Sequence, residues 1–232
     1  MKILLIHGFP FNGDLWSEQR ALPGAVAPHL PGFGGTAPGA DSIDAYARGI
    51  LGSIEGRFIG VGHSMGGYIA LAMHRIAPER LAGIALVASR AAADSPEARA
   101  KREETARAVL ERGVGVVEES IIPRLFAPGA GAAAVDAARA LIRRASPQGV
   151  ANALRAMASR PDATPQLANI AVPALVVAGR HDAFVPPAAS ESMARAIPNA
   201  RLVWCERSGH MPMLEEPEAV SRALREFLVV SR

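Results

Sequence analysis

A sharp turn at residues 62–66, Gly-His-Ser-Met-Gly, constrains the fold of this chain more than any other stretch of its sequence. Residues 58–61 before it are rich in strand-forming side chains, and the mostly apolar residues 68–73 after it predict a helix. Ser64 then lies at the corner with a glycine two residues to either side, which requires a positive φ at the serine and leaves room for neighbouring backbone. This pattern is typical of a serine nucleophile presented to a cleft, although a glycine-rich turn with an idle serine has the same sequence.

The rest of the chain alternates between short apolar runs and helical patterns. Strands are predicted over residues 3–6, 26–30, 58–61, 81–88, 172–178 and 201–204, and further helices over residues 43–54, 187–196 and 218–229. Continuous apolar runs of this length are typical of strands that are buried on both faces of a parallel sheet. The chain is therefore predicted to adopt an α/β fold with a mostly parallel sheet of about six strands.

Residues 90–165 interrupt this alternation. Serine–proline pairs at 95–96 and 146–147 mark the starts of helices, and no buried strand is predicted in this stretch. We interpret it as a helical cap inserted between two parts of the α/β core, residues 1–89 and 166–232. The cap carries more arginine and lysine than aspartate and glutamate, which predicts either a surface that steers an anionic substrate or a simple solvated surface.

The composition argues against several classes of function. The 232 residues are 50% hydrophobic and include one cysteine, Cys205, so the chain can build one globular core but no internal disulfide. The net charge is only +3, and no basic run is interleaved with aromatic side chains, which argues against nucleic-acid binding. The first apolar run is too short for a signal peptide, and no stretch reaches the ~20 apolar residues of a membrane span, so we expect a cytoplasmic protein without a membrane partner. Because neither metal-ligand spacing nor a phosphate-binding fingerprint occurs, we expect neither a metal nor another cofactor.

Asp182 and His210 each follow a predicted strand directly, as Ser64 does. The carboxyl ends of parallel strands meet at one edge of a sheet, so these three side chains are expected to lie together. A serine nucleophile needs a base to take its proton and an acid to orient that base. We therefore predict that His210 is the base and Asp182 the orienting acid, although an acid after a strand also serves as a simple turn former.

Two backbone amides are candidates for stabilising the anion that forms when a serine attacks a carbonyl group. The amide of Met65 directly follows the serine, and a second amide is expected from the loop after the first strand, at Phe9, since Pro10 has no N–H. Six apolar side chains are predicted to line a substrate pocket: Trp16, Phe33, Tyr68, Met157, Phe184 and Met211.

Five sequence blocks, taken in order, resemble those of the α/β-hydrolase superfamily over almost the whole chain. They are residues 7–10 (HGFP), 30–34 (LPGFG), 62–67 (GHSMGG), 179–182 (GRHD) and 209–210 (GH) with Glu215 and Pro217. The resemblance implies the α/β-hydrolase fold and its serine–aspartate–histidine order. Members of the superfamily usually carry a β-hairpin before the first of these blocks, and here that hairpin is missing, so we expect six strands rather than eight. A sheet that is less covered favours association, which leaves a homodimer open.

More narrowly, residues 96–99 (PEAR) and 160–162 (RPD) resemble the subgroup of 3-oxoadipate enol-lactonase-like proteins and small carboxylesterases. That resemblance implies a cofactor-free serine hydrolase that cleaves a small-molecule carboxylic ester or lactone through an acyl-enzyme on Ser64. A C–C bond hydrolase, a thioesterase or a perhydrolase would use the same triad, and these activities stay open. A hydrolase-fold protein that binds a signal molecule with an idle triad also stays open, whereas epoxide hydrolases and dehalogenases need a carboxylate nucleophile at position 64.

Overall fold

One parallel sheet runs through the protein in a computed structural model that describes residues 1–231. Its strands are β1 (Lys2–Ile6), β2 (Ala25–Val26), β3 (Phe58–His63), β4 (Leu81–Val87), β5 (Ala174–Gly179) and β6 (Ala200–Cys205). They lie in the order β2–β1–β3–β4–β5–β6, and every neighbouring pair is parallel. The sheet confirms the predicted α/β architecture with six strands. Because the chain builds outward from β1 in both directions, the topological switch point lies between β1 and β3, where ligands bind in open α/β sheets.

Helices cover both faces of this sheet. They are α1 (Ile43–Ser53), α2 (Met65–Ile76), α3 (Pro96–Arg112), α4 (Gly115–Leu125), α5 (Ala132–Ile142), α6 (Pro147–Ser159), α7 (Pro187–Ala196), α8 (Pro212–Glu215) and α9 (Pro217–Val230). Alternate residues of β1 separate the two faces, since Leu4 and Ile6 pack in one apolar cluster with α1, α2 and α7, whereas Ile3 and Leu5 pack in the other with α9. Among residues 1–231, no helix combines the length and the apolar character that crossing a bilayer requires.

The second strand is much shorter than the predicted strand over residues 26–30. Only the two residues of β2 pair with β1. Beyond them, the Leu30 amide donates to Nε2 of His7 at 2.9 Å instead of to a strand, and the side chain of His29 accepts the Gly13 amide through Nδ1 at 3.0 Å. The apolar pattern of the sequence contains no sign of these side-chain acceptors, which is why the predicted strand is too long.

Helices α3 to α6 lie between β4 and β5 in the chain, and we refer to them as the helical insertion. Within it, α3 packs against α6 through buried side chains of both helices. The start of α6 lies directly against the loop after β2, because the Ser146 amide donates to the Gly32 carbonyl at 2.9 Å and a Cβ on Gly32 would lie 2.4 Å from Gly149 Cα. The helices lie where a cap is predicted, and the division of the chain into a core and a separate cap domain stays a prediction.

Candidate active site

Ser64 lies between the end of β3 and the start of α2, at the corner that the sequence predicts. Its φ of 49° and ψ of −112° fall in a region that side-chain-bearing residues rarely adopt. Two hydrogen bonds fix the backbone there: the Ser64 amide donates to the Val87 carbonyl at 2.9 Å, and the Ser89 hydroxyl donates to the Ser64 carbonyl at 2.8 Å. A Cβ on Gly62 would lie 2.2 Å from the Gly66 carbonyl oxygen, so only glycine fits the strand side of the turn.

The structure brings together the three side chains that the sequence singles out after β3, β5 and β6. The hydroxyl Oγ of Ser64 lies 2.9 Å from Nε2 of His210, and Nδ1 of the same ring lies 2.8 Å from Oδ2 of Asp182. The other carboxylate oxygen of Asp182 accepts the amides of Phe184 and Val185 at 2.8 and 2.9 Å. With Nδ1–H donating to the buried carboxylate, Nε2 is left as an acceptor for the serine proton.

The loop that carries His210 is fixed by the carboxylate of Glu215. Oxygen Oε2 accepts the amides of the residues on either side of His210, at 2.9 and 3.3 Å, and Oε1 accepts the Ala127 amide at 2.7 Å. The His210 amide in turn donates to the Leu125 carbonyl, at the end of α4, at 2.7 Å. Burial raises the pKa of the Glu215 carboxyl, against the effect of these amides. Sequence reasoning missed this role, and the only signal was the position of Glu215 in a family block.

Two buried histidines hold the surrounding loops. Nε2 of His63 donates to the His210 carbonyl at 2.9 Å, and burial lowers the pKa of His63 well below its usual value. Nδ1 of His7 donates to the Gly8 carbonyl at 3.0 Å, its Nε2 accepts the Leu30 amide, and burial lowers the pKa of His7 to about 4. Both rings are therefore neutral at pH 7, with one nitrogen of each serving as a donor to the backbone.

The two amides predicted to form an oxyanion hole lie at the switch point of the sheet. Phe9 follows β1 and lines a cavity beside Ser64, and its peptide bond to Pro10 is cis. Met65 is the first residue of α2, so its amide has no acceptor within the helix and lies at the positive end of the helix dipole. These positions fit the predicted role, which stays a prediction.

A cavity of about 280 Å³ opens at Ser64 and His210. Its apolar lining consists of Phe9, Tyr68, Ala98, Val117, Ile121, Leu125, Leu154, Met157, Phe184 and Val185. Three cationic side chains also line it, namely Arg90, Lys101 and Arg102, and within residues 1–231 no carboxylate does. The site therefore offers apolar surface for a carbon chain next to an electropositive wall.

Three of the side chains predicted to line the pocket do line this cavity: Tyr68, Met157 and Phe184. The other three predictions are wrong, because Trp16, Phe33 and Met211 are fully buried in the core. Trp16 and Met211 belong to the apolar cluster on the α9 face of the sheet, and the ring of Phe33 packs edge-on against that of Phe9, with 6.4 Å between centroids. Sequence reasoning also missed the cationic wall, since the arginine excess of the helical insertion does not reveal which side chains face inward.

Other reactive groups do not compete with Ser64 for the role of nucleophile. Cys205 is buried, and burial raises the pKa of its thiol to about 12, so it is not a thiolate at neutral pH. Within residues 1–231, no group of histidine, cysteine and acidic side chains is arranged to hold a metal ion. Ser64, in contrast, has a base in hydrogen-bond contact.

Comparison with known proteins gives a consistent result. A family model described as the alpha/beta hydrolase family matches residues 3–223. The chain is 32% identical over 242 aligned positions to a pimeloyl-[acyl-carrier protein] methyl ester esterase of Neisseria meningitidis serogroup B (strain H44/76), covering 98% of this chain and 92% of that protein. A solved structure of a thermophilic esterase from Thermogutta terrifontis, malate bound, is 38% identical with a TM-score of 0.94, covering 100% of this chain and 90% of that one. The enol-lactonase from Burkholderia xenovorans LB400 shares the fold, at 23% identity and a TM-score of 0.85, covering 99% and 92%.

Proposed function

Because this chain belongs to the alpha/beta hydrolase family, we propose that it is a serine hydrolase that cleaves carboxylic esters through an acyl-enzyme on Ser64. The observation that carries the proposal is the unbroken chain of hydrogen bonds from Ser64 through His210 to Asp182. The relatives named as esterases, at 32% and 38% identity, support the same class of reaction.

In the first half of the reaction, Nε2 of His210 takes the proton of the Ser64 hydroxyl while its oxygen attacks the ester carbonyl carbon. The tetrahedral intermediate carries negative charge on the former carbonyl oxygen, to which the amides of Phe9 and Met65 donate. Asp182 holds the ring in orientation and stabilises the imidazolium that forms. The imidazolium then gives its proton to the alcohol oxygen, the C–O bond breaks, and the acyl group stays on Ser64.

Water completes the cycle. His210 takes a proton from a water molecule as the water oxygen attacks the acyl carbon, and a second tetrahedral intermediate forms. Its collapse releases the carboxylic acid, and His210 returns a proton to the Ser64 oxygen. One ester and one water give one acid and one alcohol, and the enzyme regains its starting state.

The shape of the cavity favours an ester with a flexible, largely apolar acyl chain. Its lining supplies apolar surface for such a chain, with hydroxyls from Thr105 and Ser120 as polar contacts. The relatives named as methyl ester esterases support a small alcohol as leaving group. A lactone of similar size would react by the same steps, with the alcohol retained on the product.

The test is hydrolysis of p-nitrophenyl esters by the unmodified chain and by Ser64→Ala. We expect cleavage by the unmodified chain and loss of at least about 10³-fold in kcat in the variant, since the nucleophile is removed. Ser192→Ala, which changes an exposed serine of α7, serves as the matched control and keeps full activity. A fluorophosphonate probe should label the unmodified chain and the control but not Ser64→Ala.

Full ester hydrolysis by Ser64→Ala would remove the proposal. Labelling of Ser64 without turnover of any ester would favour the idle, signal-binding alternative instead. A panel of matched esters, lactones and thioesters separates ester cleavage from the other reactions that the same triad supports.

A further inference from the structure

The side of the cavity formed by α3 and the loop before it carries more positive charge than its neighbours neutralise. The carboxylate of Asp94 contacts three guanidinium groups, those of Arg90 at 2.6 Å, Arg160 at 2.9 Å and Arg102. Burial raises the pKa of the Asp94 carboxyl, but hydrogen bonds from Arg102 and Arg160 outweigh burial and hold it well below its usual value. Asp94 is therefore ionised, and a single negative charge faces three positive ones.

One of the three arginines, Arg160, is buried and has a structural role. Arg160 is 4% exposed, donates to two backbone carbonyls at 2.7 and 2.8 Å as well as to Asp94, and lies 4.1 Å from the ring centroid of Tyr68. It does not line the cavity beside Ser64. Its terminal nitrogens tie the end of α6 to the loop before α3, its Nε is buried without a partner among residues 1–231, and its contact with the core is the ring of Tyr68.

The other two arginines line the cavity and have donors to spare. A guanidinium group has five N–H donors. Within the described part of the chain, Arg90 donates one hydrogen bond, to Asp94, and its Nε is buried without a partner. Arg102 donates one hydrogen bond to Asp94 and another to the Met157 sulfur at 3.5 Å, and this sulfur is a weak acceptor. A planar anion that enters the cavity would therefore find unused donors on both side chains.

Other charges do not cancel this excess. Lys101 also lines the cavity, and its ammonium pairs with the exposed Glu104 at 2.9 Å. The cavity lining contains no carboxylate among residues 1–231, because Asp182 lies behind His210 and Asp94 lies behind the arginines. Asp162 also acts on Arg160, but neither of these two residues lines the cavity. Arg90 and Arg102 therefore face a mostly apolar cavity as a positively charged wall, where electrostatic attraction is stronger than in bulk water.

The cationic side chains lie close to the reacting serine. Tyr68, beneath Arg160, is one helical turn after Ser64 in α2, and Ser89, the neighbour of Arg90, donates to the Ser64 carbonyl at 2.8 Å. One turn of helix plus a ring-stacking distance places the guanidinium group of Arg160 on the order of 10 Å from the hydroxyl. Arg90 and Arg102 contact the same Asp94 carboxylate as Arg160 and line the same cavity as Ser64, so they lie at a similar distance. That separation corresponds to a short aliphatic chain.

We propose that Arg90 and Arg102 form an anion subsite that binds a free carboxylate at the far end of the acyl chain. This inference rests on the proposed function and narrows the substrate class to monoesters of dicarboxylic acids. The ester carbonyl lies at Ser64, the methylene groups pack against Leu154 and Met157, and the carboxylate accepts hydrogen bonds from the two guanidinium groups.

Two esters with the same leaving group test the subsite directly. The mono-p-nitrophenyl ester of adipic acid and p-nitrophenyl hexanoate both have six-carbon acyl chains and differ in the terminal carboxylate. We expect the unmodified enzyme to prefer the adipate ester by about tenfold or more in kcat/KM, mainly through a lower KM, since hydrogen bonds to a charged group are strong in a partly buried site. Added sodium chloride should reduce this preference and leave hexanoate cleavage unchanged.

Two single variants test whether Arg90 and Arg102 cause the preference for the adipate ester. Arg90→Gln and Arg102→Gln should each raise KM for the adipate ester by about tenfold and change cleavage of the hexanoate ester by less than about twofold. Each variant leaves Asp94 two guanidinium partners, which favours folding. Arg107→Gln serves as the matched control, because Arg107 is an exposed arginine of α3 that pairs with Glu103 and does not line the cavity.

Equal efficiency of the unmodified enzyme with the two esters would overturn the subsite and leave the proposed function standing, because the hexanoate ester is still cleaved. An equal loss with both esters in Arg90→Gln and Arg102→Gln would assign the two arginines to structure alone and would also overturn the subsite. If Arg102→Gln fails to fold, the salt dependence of the unmodified enzyme and the Arg90→Gln variant still decide the question. Cleavage of neither ester would contradict the proposed function itself.

Discussion

Among single residues, Asp182 uses its two carboxylate oxygens for different tasks. One holds Nδ1 of His210 at 2.8 Å, and the other accepts the amides of Phe184 and Val185. Asp182→Asn keeps an oxygen for the two amides but turns an NH₂ group toward the ring, so Nδ1 becomes the acceptor and Nε2 carries the hydrogen. We expect kcat for p-nitrophenyl hexanoate to fall about 10³- to 10⁴-fold. The thermal midpoint should change little, and a fall in kcat of less than about tenfold would contradict the orienting role.

The catalytic residues could be predicted from the sequence, whereas most of the cavity lining could not, and the two groups differ in what fixes their positions. Ser64, Asp182 and His210 could be singled out because each directly follows a strand, and the ends of parallel strands meet in space. The lining of the cavity could not be predicted, since Trp16 is as apolar as Tyr68 and only packing decides which of them is covered. The same holds for charge, because a cationic stretch does not specify which guanidinium groups have unused donors.

Where β3 meets α2, the close approach of the two elements depends on a missing side chain. A Cβ on Gly62 would lie 2.2 Å from a backbone oxygen of α2, so Gly62→Ala must push strand and helix apart. Overpacking of this kind costs about 1–3 kcal/mol, and we expect the free energy of unfolding in urea to fall by that amount. Ester hydrolysis should fall with it, because Ser64 moves relative to His210.

Gly49→Ala is the matched control for this element. Gly49 lies in α1, where an added Cβ meets nothing within 4 Å, and alanine is the better helix former. Its free energy of unfolding should rise by up to about 1 kcal/mol, with unchanged hydrolysis. Equal stability of the two alanine variants would show that the turn tolerates a side chain at position 62.

Whether an element could be predicted depends on whether its hydrogen bonds are made by backbone alone. The strands β1, β3, β4 and β5 are largely apolar runs whose pairing is internal to the sheet, β6 is apolar except for Arg201, and the positions of all five follow from the sequence. The predicted strand over residues 26–30 is too long because the Leu30 amide donates to the side chain of His7 instead of to a neighbouring strand. A side-chain acceptor from a distant part of the chain leaves no local pattern that could be read.

For the molecule as a whole, the buried neutral histidines make stability depend on pH. The pKa of His7 falls from about 6.5 in the unfolded chain to about 4 in the folded one, so between these values the unfolded chain binds more protons. Stability is therefore lost as the pH falls from 6.5 toward 4, by up to about 3 kcal/mol for this one group. We expect the free energy of unfolding in urea to be lower at pH 5 than at pH 7.5.

Replacement of His7 measures how much of the loss of stability at low pH comes from this histidine. Glutamine keeps an oxygen that can accept the Leu30 amide but does not titrate, so His7→Gln should show a smaller difference between pH 7.5 and pH 5 than the unmodified chain. His181→Gln changes an exposed histidine and should leave the difference as it is. An unchanged difference in His7→Gln would contradict the assignment of the loss to this ring.

The carboxylate of Glu215 has a consequence for how substrate enters and product leaves. It accepts amides on both sides of His210 and the amide of Ala127, so it joins the segment after α4 to the loop that transfers the proton. Widening the entrance at that end would pull the imidazole out of line with the serine. We therefore expect substrate to enter on the α3 side, because within residues 1–231 no side chain of α3 is hydrogen-bonded to the loop that carries His210.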